Sequence, residues 1–451
     1  MKGDLELMSE LKIGTSIKIE YGGNAKILKE IGRGGQGIVY LVEYNGVNYA
    51  LKWYFYNKIN KPDRFRENLK SNIDDGSPSN NFLWPQYLTE GLQYGSFGYL
   101  MQLIPDEYEQ FTDILNTYKI KKNNDINTIS KIPIKFTSLE TLINAAINIV
   151  ISFRDLHRVG KSYQDLNDGG FYINLKTGDV LVCDCDNIAP EGENFGIAGM
   201  PGYMAPEIVR GIAKPDIQTD KYSLAVVLFK LLFRGDPLEG AKVLKCVCLH
   251  EGADLIHYGK EPVFIFDPDN KSNRPVIGVH DNVIKMWKIY PQYIRNLFIK
   301  SFTLGIKNPN NRVIENTWKK YLIQLRSNII SCTCGVSTFS NMFEIKEDKL
   351  ICPNCGKTFN TIDFDEFYIP IFSGQKIYKC FTSKSEDFNT VTGIIIENKK
   401  YKGIMGIKNL SNDIWKITSA KGEIRDLNPS EVSVIRSGMK IDFYKGIKCN
   451  I

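Results

Sequence analysis

The sequence predicts an α+β protein, and three observations carry the prediction. From about residue 12 to 56, apolar and polar positions alternate between glycine-rich breaks, the period of antiparallel strands. From Leu139 to Leu156, apolar residues recur at helical spacing (Leu142, Ala146, Ile149, Val150, Phe153). Near the C-terminus, two cysteine knuckles precede short strand patterns broken by turns.

The chain's 451 residues are enough for two to four domains with ample core. A hydrophobic content of 43% is ordinary for a soluble globular protein. The net charge of +6 is too small to argue for nucleic acid. Residues 1–8 lack an apolar signal core, and no run of about eighteen apolar residues occurs, so neither a signal peptide nor a membrane span is expected. Of the 10 cysteines, four stand at metal-ligand spacing and the rest suggest no disulfide framework, so a reducing, cytoplasmic compartment is expected.

In the strand-rich segment, Ile31-Gly-Arg-Gly-Gly-Gln-Gly-Ile-Val39 places Gly32, Gly34 and Gly37 as G-x-G-x-x-G. Glycines let a backbone close over phosphates and present N–H groups to them. Such a run alone fits a dinucleotide site or a plain hairpin, but flanking strands, without a helix, disfavour the dinucleotide reading. Tyr49-Ala-Leu-Lys52 follows, with Lys52 either a strand-edge lysine or a phosphate ligand. Glu67, in Asp63-Arg-Phe-Arg-Glu67, is either a solvated helix residue or the partner of Lys52. Phe97-Gly-Tyr-Leu-Met101-Gln-Leu103 is a core strand, and polar residues 105–137 are expected to form a surface insertion.

The predicted helix then runs into Tyr163-Gln-Asp-Leu-Asn-Asp-Gly-Gly170, followed by Val182-Cys-Asp-Cys-Asp186. Asp165 and Asp184 are separated by enough chain for a short hairpin. Phosphoryl transfer needs one carboxylate to orient the hydroxyl and another to hold the metal. Alone, two such residues would equally suit turns and caps. They are joined by Gly199-Met-Pro-Gly-Tyr-Met-Ala-Pro-Glu207, Asp220-Lys-Tyr-Ser-Leu-Ala-Val-Val, and Arg312 in Asn308-Pro-Asn-Asn-Arg312-Val.

In this order the motifs resemble those of protein kinases, and with Trp84-Pro85, a long insert around Phe264-Ile-Phe-Asp-Pro-Asp and a cysteine ribbon after it the chain resembles in particular bacterial eukaryotic-like Ser/Thr kinases encoded beside metal-dependent phosphatases. The resemblance implies a bilobal kinase fold, with an N-lobe at 1–103 and a C-lobe at 104–330. A zinc ribbon at 331–360 and a small all-β sandwich at 361–451 complete the expected organisation. It further implies that ATP is bound by Ile31, Gly32, Gly34, Gly37, Val39, Ala50, Lys52, Met101, Gln102, Leu103 and Tyr172. Lys52 would hold phosphates and pair with Glu67, and Asp165 would orient a Ser/Thr hydroxyl. Asp184 would hold Mg²⁺, with Asp186 and Asn167 as candidate further ligands. Asp220 would brace the catalytic loop and Glu207 would pair with Arg312. The implied partners are a protein substrate and a metal-dependent phosphatase.

Several positions depart from the kinase pattern. H-R-D reads Tyr163-Gln164-Asp165 and D-F-G reads Asp184-Cys185-Asp186. Gly170 stands where the family has its second metal-binding Asn, Asn167 where it has Lys, and Met200 where it has Thr. Residues 187–204 contain no Ser or Thr, so no phosphorylation switch of that kind is expected there. A nucleotide-binding pseudokinase scaffold that recruits a phosphatase or another partner therefore stays open beside a working kinase.

Cys332-Thr-Cys334-Gly335 and Cys352-Pro-Asn-Cys355-Gly356 have the spacing of a zinc ribbon with one knuckle shortened. Four thiolates leave no open position, which predicts structural Zn²⁺. A redox C-x-x-C is the rival, but the βαβ context is missing. Few basic residues and no aromatic ladder argue against nucleic acid. Cys183, Cys185, Cys246, Cys248, Cys380 and Cys449 are expected mostly as small buried hydrophobes. The stretches 393–397, 403–407, 414–418, 432–435 and 439–443 predict the β-sandwich. With Gly406–Leu410, Trp415 and Gly438–Phe443 it resembles a forkhead-associated domain, although only Ser411 offers itself as a phosphopeptide contact.

Overall fold

Strand alternation in the first segment builds a six-stranded antiparallel sheet, as a computed structural model of the chain shows. Its strands are β1 (Ser16–Lys18), β2 (Asn24–Arg33), β3 (Gly37–Tyr44), β4 (Val47–Tyr54), β5 (Tyr87–Leu88) and β6 (Gly98–Met101), in the order β1-β2-β3-β4-β6-β5. The structure describes residues 10–55, 58–91, 96–122, 129–196, 199–246, 251–347, 349–444 and 447–451. The N-terminal stretch 1–8 and Cys248, both read above, lie outside them. Among the described residues the fold is mixed helix and sheet, and no helix is long and apolar enough to cross a membrane.

Successive residues of a strand face opposite sides, and β4 sorts its side chains accordingly. Leu51 and Trp53 join Ile27, Ile38, Tyr40 and Val42 in one cluster. Ala50 and Tyr54 join Tyr99 and Met101 in another. Lys52 therefore shares the second face, opposite Val39 on β3 and Tyr99 on β6.

Helix α1 (Pro62–Asp75) begins with proline, whose fixed φ suits a first turn, and buries Phe65, Asn68, Leu69 and Asn72. Segment 105–137 is more than a surface insertion. Strand β7 (Tyr108–Gln110) and helix α2 (Phe111–Asn116) lie in it, and Phe111 and Ile114 are buried. Phe111 packs edge-on against Phe171 at 5.9 Å, an anchor hidden among the polar neighbours in the sequence. A hairpin of β8 (Tyr118–Lys122) and β9 (Ile129–Pro133) follows.

Helix α3 (Leu139–Arg158) appears where the period places it. After it come β10 (Lys161–Ser162), β11 (Phe171–Asn174), β12 (Val180–Val182) and β13 (Ala189–Pro190). β11 is central in a sheet of order β12-β11-β7, and β10 pairs with β13. Short helix α4 (Pro206–Val209) precedes α5 (Ile217–Phe233), which starts in a capping box made by Asp216 and Thr219 and is mostly buried. Phe229 packs against Phe264, Phe298 and Phe302, so the segment around Phe264 supplies core.

The chain divides into two compact units. The first comprises Met1–Thr137, Asn144–Ile284 and Leu297–Trp318, and the second Ser138–Ile143, Lys285–Asn296 and Lys319–Ile451. The sequence before the ribbon reads as a helix from Trp318 to Ile330, but the helix is Glu315–Ser327, because Ile329 and Ile330 enter β14 (Ile329–Ser331), paired with β15 (Ser337–Phe339). A three-stranded sheet follows, made of β16 (Glu344–Lys346), β17 (Lys349–Ile351) and β18 (Thr358–Phe359).

The C-terminal strands form two sheets. One joins β19 (Thr361–Asp363), β20 (Tyr368–Pro370), β24 (Trp415–Thr418), β25 (Ile424–Leu427), β27 (Lys440–Tyr444) and β28 (Ile447–Asn450). The other joins β21 (Lys376–Tyr378), β22 (Val391–Glu397), β23 (Met405–Asn409) and β26 (Val432–Val434). Ile377, Ile395 and Ile407 from the smaller sheet share a core with Trp415, Ile417, Ile441 and Phe443 from the larger. Ser411 is held in a local turn by Asn409, to which its amide and hydroxyl both donate.

Candidate active site

The side chain of Lys52 projects from β4 toward the loop that follows β12. Its Nζ donates to Asp184 Oδ1 at 3.0 Å and to Asp186 Oδ2 and Oδ1 at 2.8 and 3.0 Å. Burial opposes the lysine charge, but the two carboxylates outweigh it and raise the ammonium well above its ordinary pKa. The two partners differ. Asp184 is 51% exposed and sits at φ 51°, a left-handed turn that ends the β12 run. Asp186 is fully buried and also accepts from Tyr54 Oη at 2.5 Å.

Glu67, expected to pair with Lys52, lies on the exposed face of α1, and Lys52 is held by the two aspartates instead. The physical reason is the phase of the helix. Its buried stripe runs through Phe65, Asn68, Leu69 and Asn72, which leaves Glu67 on the solvent side. Asn68 and Asn72 each donate an amide to Ile188 O at 2.8 Å, so the helix grips the same loop through its backbone. Neither asparagine nor Tyr54 stood out in the sequence. The signal that could have found them is the polar i, i+4 pair inside an apolar stripe.

Asp165 lies in the loop after β10. Asp220 organises that loop by accepting the amides of Tyr163 at 2.6 Å and Gln164 at 3.0 Å. His157 bridges Asp220 at 3.1 Å and Glu315 at 2.7 Å. Gln164, in the left-handed region at φ 73°, donates to Ser162 Oγ and Glu193 O, and its own Oε1 accepts from Asn194. Neutral hydrogen bonds thus tie the loop to 193–194. The ion pair of Glu207 with Arg312 is formed at 2.7 Å, and Arg312 also donates to Gln218 O.

Burial pushes the Asp165 carboxyl up to about 6. The Asn167 amide, donating at 3.3 Å, opposes this, and the charges of Asp184 and Asp186 add to it. Asn167 is spent within its own loop: its Oδ1 accepts from Gly169 N at 2.8 Å and its Nδ2 donates to Asp165. Both aspartates bond Lys52, but Asp186 is buried and also bonded to Tyr54, whereas Asp184 is half exposed. Gly170 has its own cause. A Cβ there would meet Tyr163 Oη at 2.8 Å, and that hydroxyl donates to Cys183 O at 2.6 Å.

Of the residues assigned to a nucleotide, Val39, Ala50, Met101, Leu103 and Tyr172 gather in one apolar cluster. Cys183, expected as a small buried hydrophobe, lies in the same cluster, and Leu181, which no motif marks, packs against it. Gln102 and Ile31 are exposed. Gly34 and Gly35 have open space around them, and Gly34 N donates to Gly37 O at 2.9 Å across the turn. Gly37 is required by packing, because a Cβ would lie 2.0 Å from Trp53 O.

The second unit gathers Cys332, Cys334, Cys352 and Cys355 with all four sulfurs within 4.8 Å of one another. Cys332 and Cys355 are 3.6 Å apart, and Cys334 and Cys352 are 3.7 Å apart. A tetrahedral Zn²⁺ with legs of about 2.3 Å spans sulfur pairs by roughly 3.8 Å, so the donor set fits that ion. Both knuckles close alike. Gly335 N donates to Cys332 O and Gly356 N to Cys352 O, with φ of 92° and 71° that glycine adopts without strain.

No family model matches the chain. Parts of it are similar to curated kinases. It is 31% identical over 99 residues to Protein kinase C delta type of Mus musculus, covering 21% of this chain and 14% of that one. Over 145 residues it is 26% identical to the probable serine/threonine-protein kinase CCRP1 of Zea mays, covering 30% and 23%. Over 114 residues it is 32% identical to Ribosomal protein S6 kinase alpha-4 of Mus musculus, covering 22% and 15%. The likeness is to serine/threonine protein kinases. The chain spans less than a quarter of the length of these relatives.

Proposed function

We propose that the chain is an ATP- and Mg²⁺-dependent protein kinase of two-lobed fold that phosphorylates Ser or Thr hydroxyls. The observation that carries this is the 3.0 Å contact of Lys52 with Asp184, from sequence positions far apart, with Asp165 near enough to feel the charges of both. Lys52 and the N–H groups of the glycine turn would hold phosphates, and the apolar cluster of Val39, Ala50, Met101, Leu103 and Tyr172 would take the base. Asp184 would hold Mg²⁺, which supplies neutralisation of phosphate charge. Asp165 would accept a hydrogen bond from the attacking hydroxyl, and ionisation above about pH 6 suits it to that work. Zn²⁺ on the four cysteines would be structural.

The test is phosphotransfer from labelled ATP by the purified chain, with Mg²⁺ or Mn²⁺, to itself and to Ser/Thr substrates. Label should vanish in Asp165→Ala and Lys52→Met; equal label in Asp165→Ala overturns the proposal. The engagement of Asn167 and Asp186, together with Gly170, favours a second reading, a nucleotide-binding pseudokinase scaffold whose partner is a phosphatase or another protein. That reading expects nucleotide to raise the melting temperature without turnover, and clean turnover ends it.

A further inference from the structure

We propose that Asp186 is the positioning residue that holds Lys52 for the nucleotide phosphates, the task that sequence likeness assigned to Glu67, and that α1 acts on Lys52 through its grip on Ile188 and the packing of Phe65 on Tyr54, not through Glu67. The inference rests on the nucleotide reading given above and deepens it. Asp186 is fully buried, and both of its oxygens lie within hydrogen-bond reach of Lys52 Nζ. Tyr54, two residues along the same face of β4, donates to one of them and fixes the carboxylate's direction. A buried carboxylate so bonded is a permanent counter-ion, because separating the pair would strand both charges out of water. Asp184, half exposed, is the partner that Lys52 can release when a cation takes that carboxylate.

This arrangement changes how the site is assembled. A helix whose own glutamate holds the lysine can switch the site by swinging that one side chain. Here the lysine's counter-ion sits in the loop that also carries Asp184, and α1 holds that loop by two amides on one carbonyl. Helix, metal loop and lysine are therefore linked in series. Loosening the Asn68 and Asn72 contacts would shift Asp184 and Asp186 together, so cation and phosphate binding should weaken as one.

The experiment compares wild type, Glu67→Gln, Asp186→Asn, Tyr54→Phe and the double variant Asn68→Ala/Asn72→Ala as full-length chains. Two readouts are used. The first is the rate at which an amine-reactive ester labels Lys52, followed by peptide mass spectrometry without nucleotide. The second is nucleotide KM and kcat, with and without added Mg²⁺. Labelling should be slow in wild type and Glu67→Gln, at least ten-fold faster in Asp186→Asn, and intermediate in Tyr54→Phe. Nucleotide KM should rise at least ten-fold in Asp186→Asn and stay within two-fold in Glu67→Gln. The double asparagine variant should lose Mg²⁺ response and nucleotide affinity together. Melting temperature separates these effects from misfolding, and Tyr54→Phe keeps the test open should Asp186→Asn fail to fold. Labelling of Lys52 that rises in Glu67→Gln but not in Asp186→Asn or Tyr54→Phe overturns the inference. A wild type that binds no nucleotide sinks the kinase reading, while the labelling rates still decide which carboxylate holds Lys52.

Discussion

The site around Lys52 and the cysteine cluster at 332–355 both gather groups able to hold a cation, and they are satisfied in opposite ways. At the first, a protein ammonium already lies between Asp184 and Asp186. At the second, four sulfurs face one another, with no protein cation between them among the described residues. The first can therefore assemble without a metal, and the second should depend on one, because bringing thiolates this close without a cation is costly.

The largest expected effect follows from that contrast. Chelation of Zn²⁺, or Cys352→Ser, should unfold the ribbon, since structural zinc contributes on the order of 10 kcal/mol or more to small zinc-bound folds. Metal analysis should find one zinc per chain, lost in the variant. A chain that melts unchanged after complete chelation would break the comparison. At the Lys52 site, chelating Mg²⁺ should leave the melting temperature unaltered.

Next in size is Lys52→Met. It removes the cation from a buried carboxylate and should cost about 3–5 kcal/mol in chemical denaturation besides abolishing phosphotransfer. Lys52→Met/Asp186→Leu should recover much of that stability without recovering activity.

A third effect sharpens the same idea at His157, another internal cation between two acids. Burial opposes its charge, but hydrogen bonds with Asp220 and Glu315 outweigh it and raise its pKa to about 9. The folded pKa lies above the ordinary value of about 6.5. The stabilisation is therefore complete below about pH 6.5 and is lost as pH rises through 9, on the order of 3 kcal/mol. Urea denaturation at pH 6 and pH 9 measures it, and His157→Gln should flatten the difference.

The smallest is Gly170→Ala, which should cost about 1–3 kcal/mol by pressing on Tyr163 Oη, with partial rescue by Tyr163→Phe. A neutral Gly170→Ala would mean that the loop yields more easily than the packing indicates.

Much of the architecture was legible in the order of residues. Period-2 alternation gave β2 to β4 and helical spacing gave α3, because both periods are properties of local backbone geometry. Segment 105–137, largely at the surface as expected, was read incompletely, since buried Phe111 and Ile114 carry little weight against many lysines and asparagines. The end of the helix before the ribbon was also misplaced. Ile329 and Ile330 are apolar in either state, and only pairing with Ser337–Phe339 decides for a strand.

By itself the sequence determined the four cysteines that converge into a donor set fit for zinc, because that chemistry lies in spacing a few residues long, and it marked Lys52, Asp165 and Asp184 as the residues to watch. Only the tertiary structure decided that Lys52 pairs with Asp184 and Asp186 and not with Glu67. Glu67 and Asp186 are equally acidic on paper, and the choice between them is made by the rotation of α1 about its axis and by the burial of the loop after Asp184. Those depend on packing between distant segments, which no local pattern encodes.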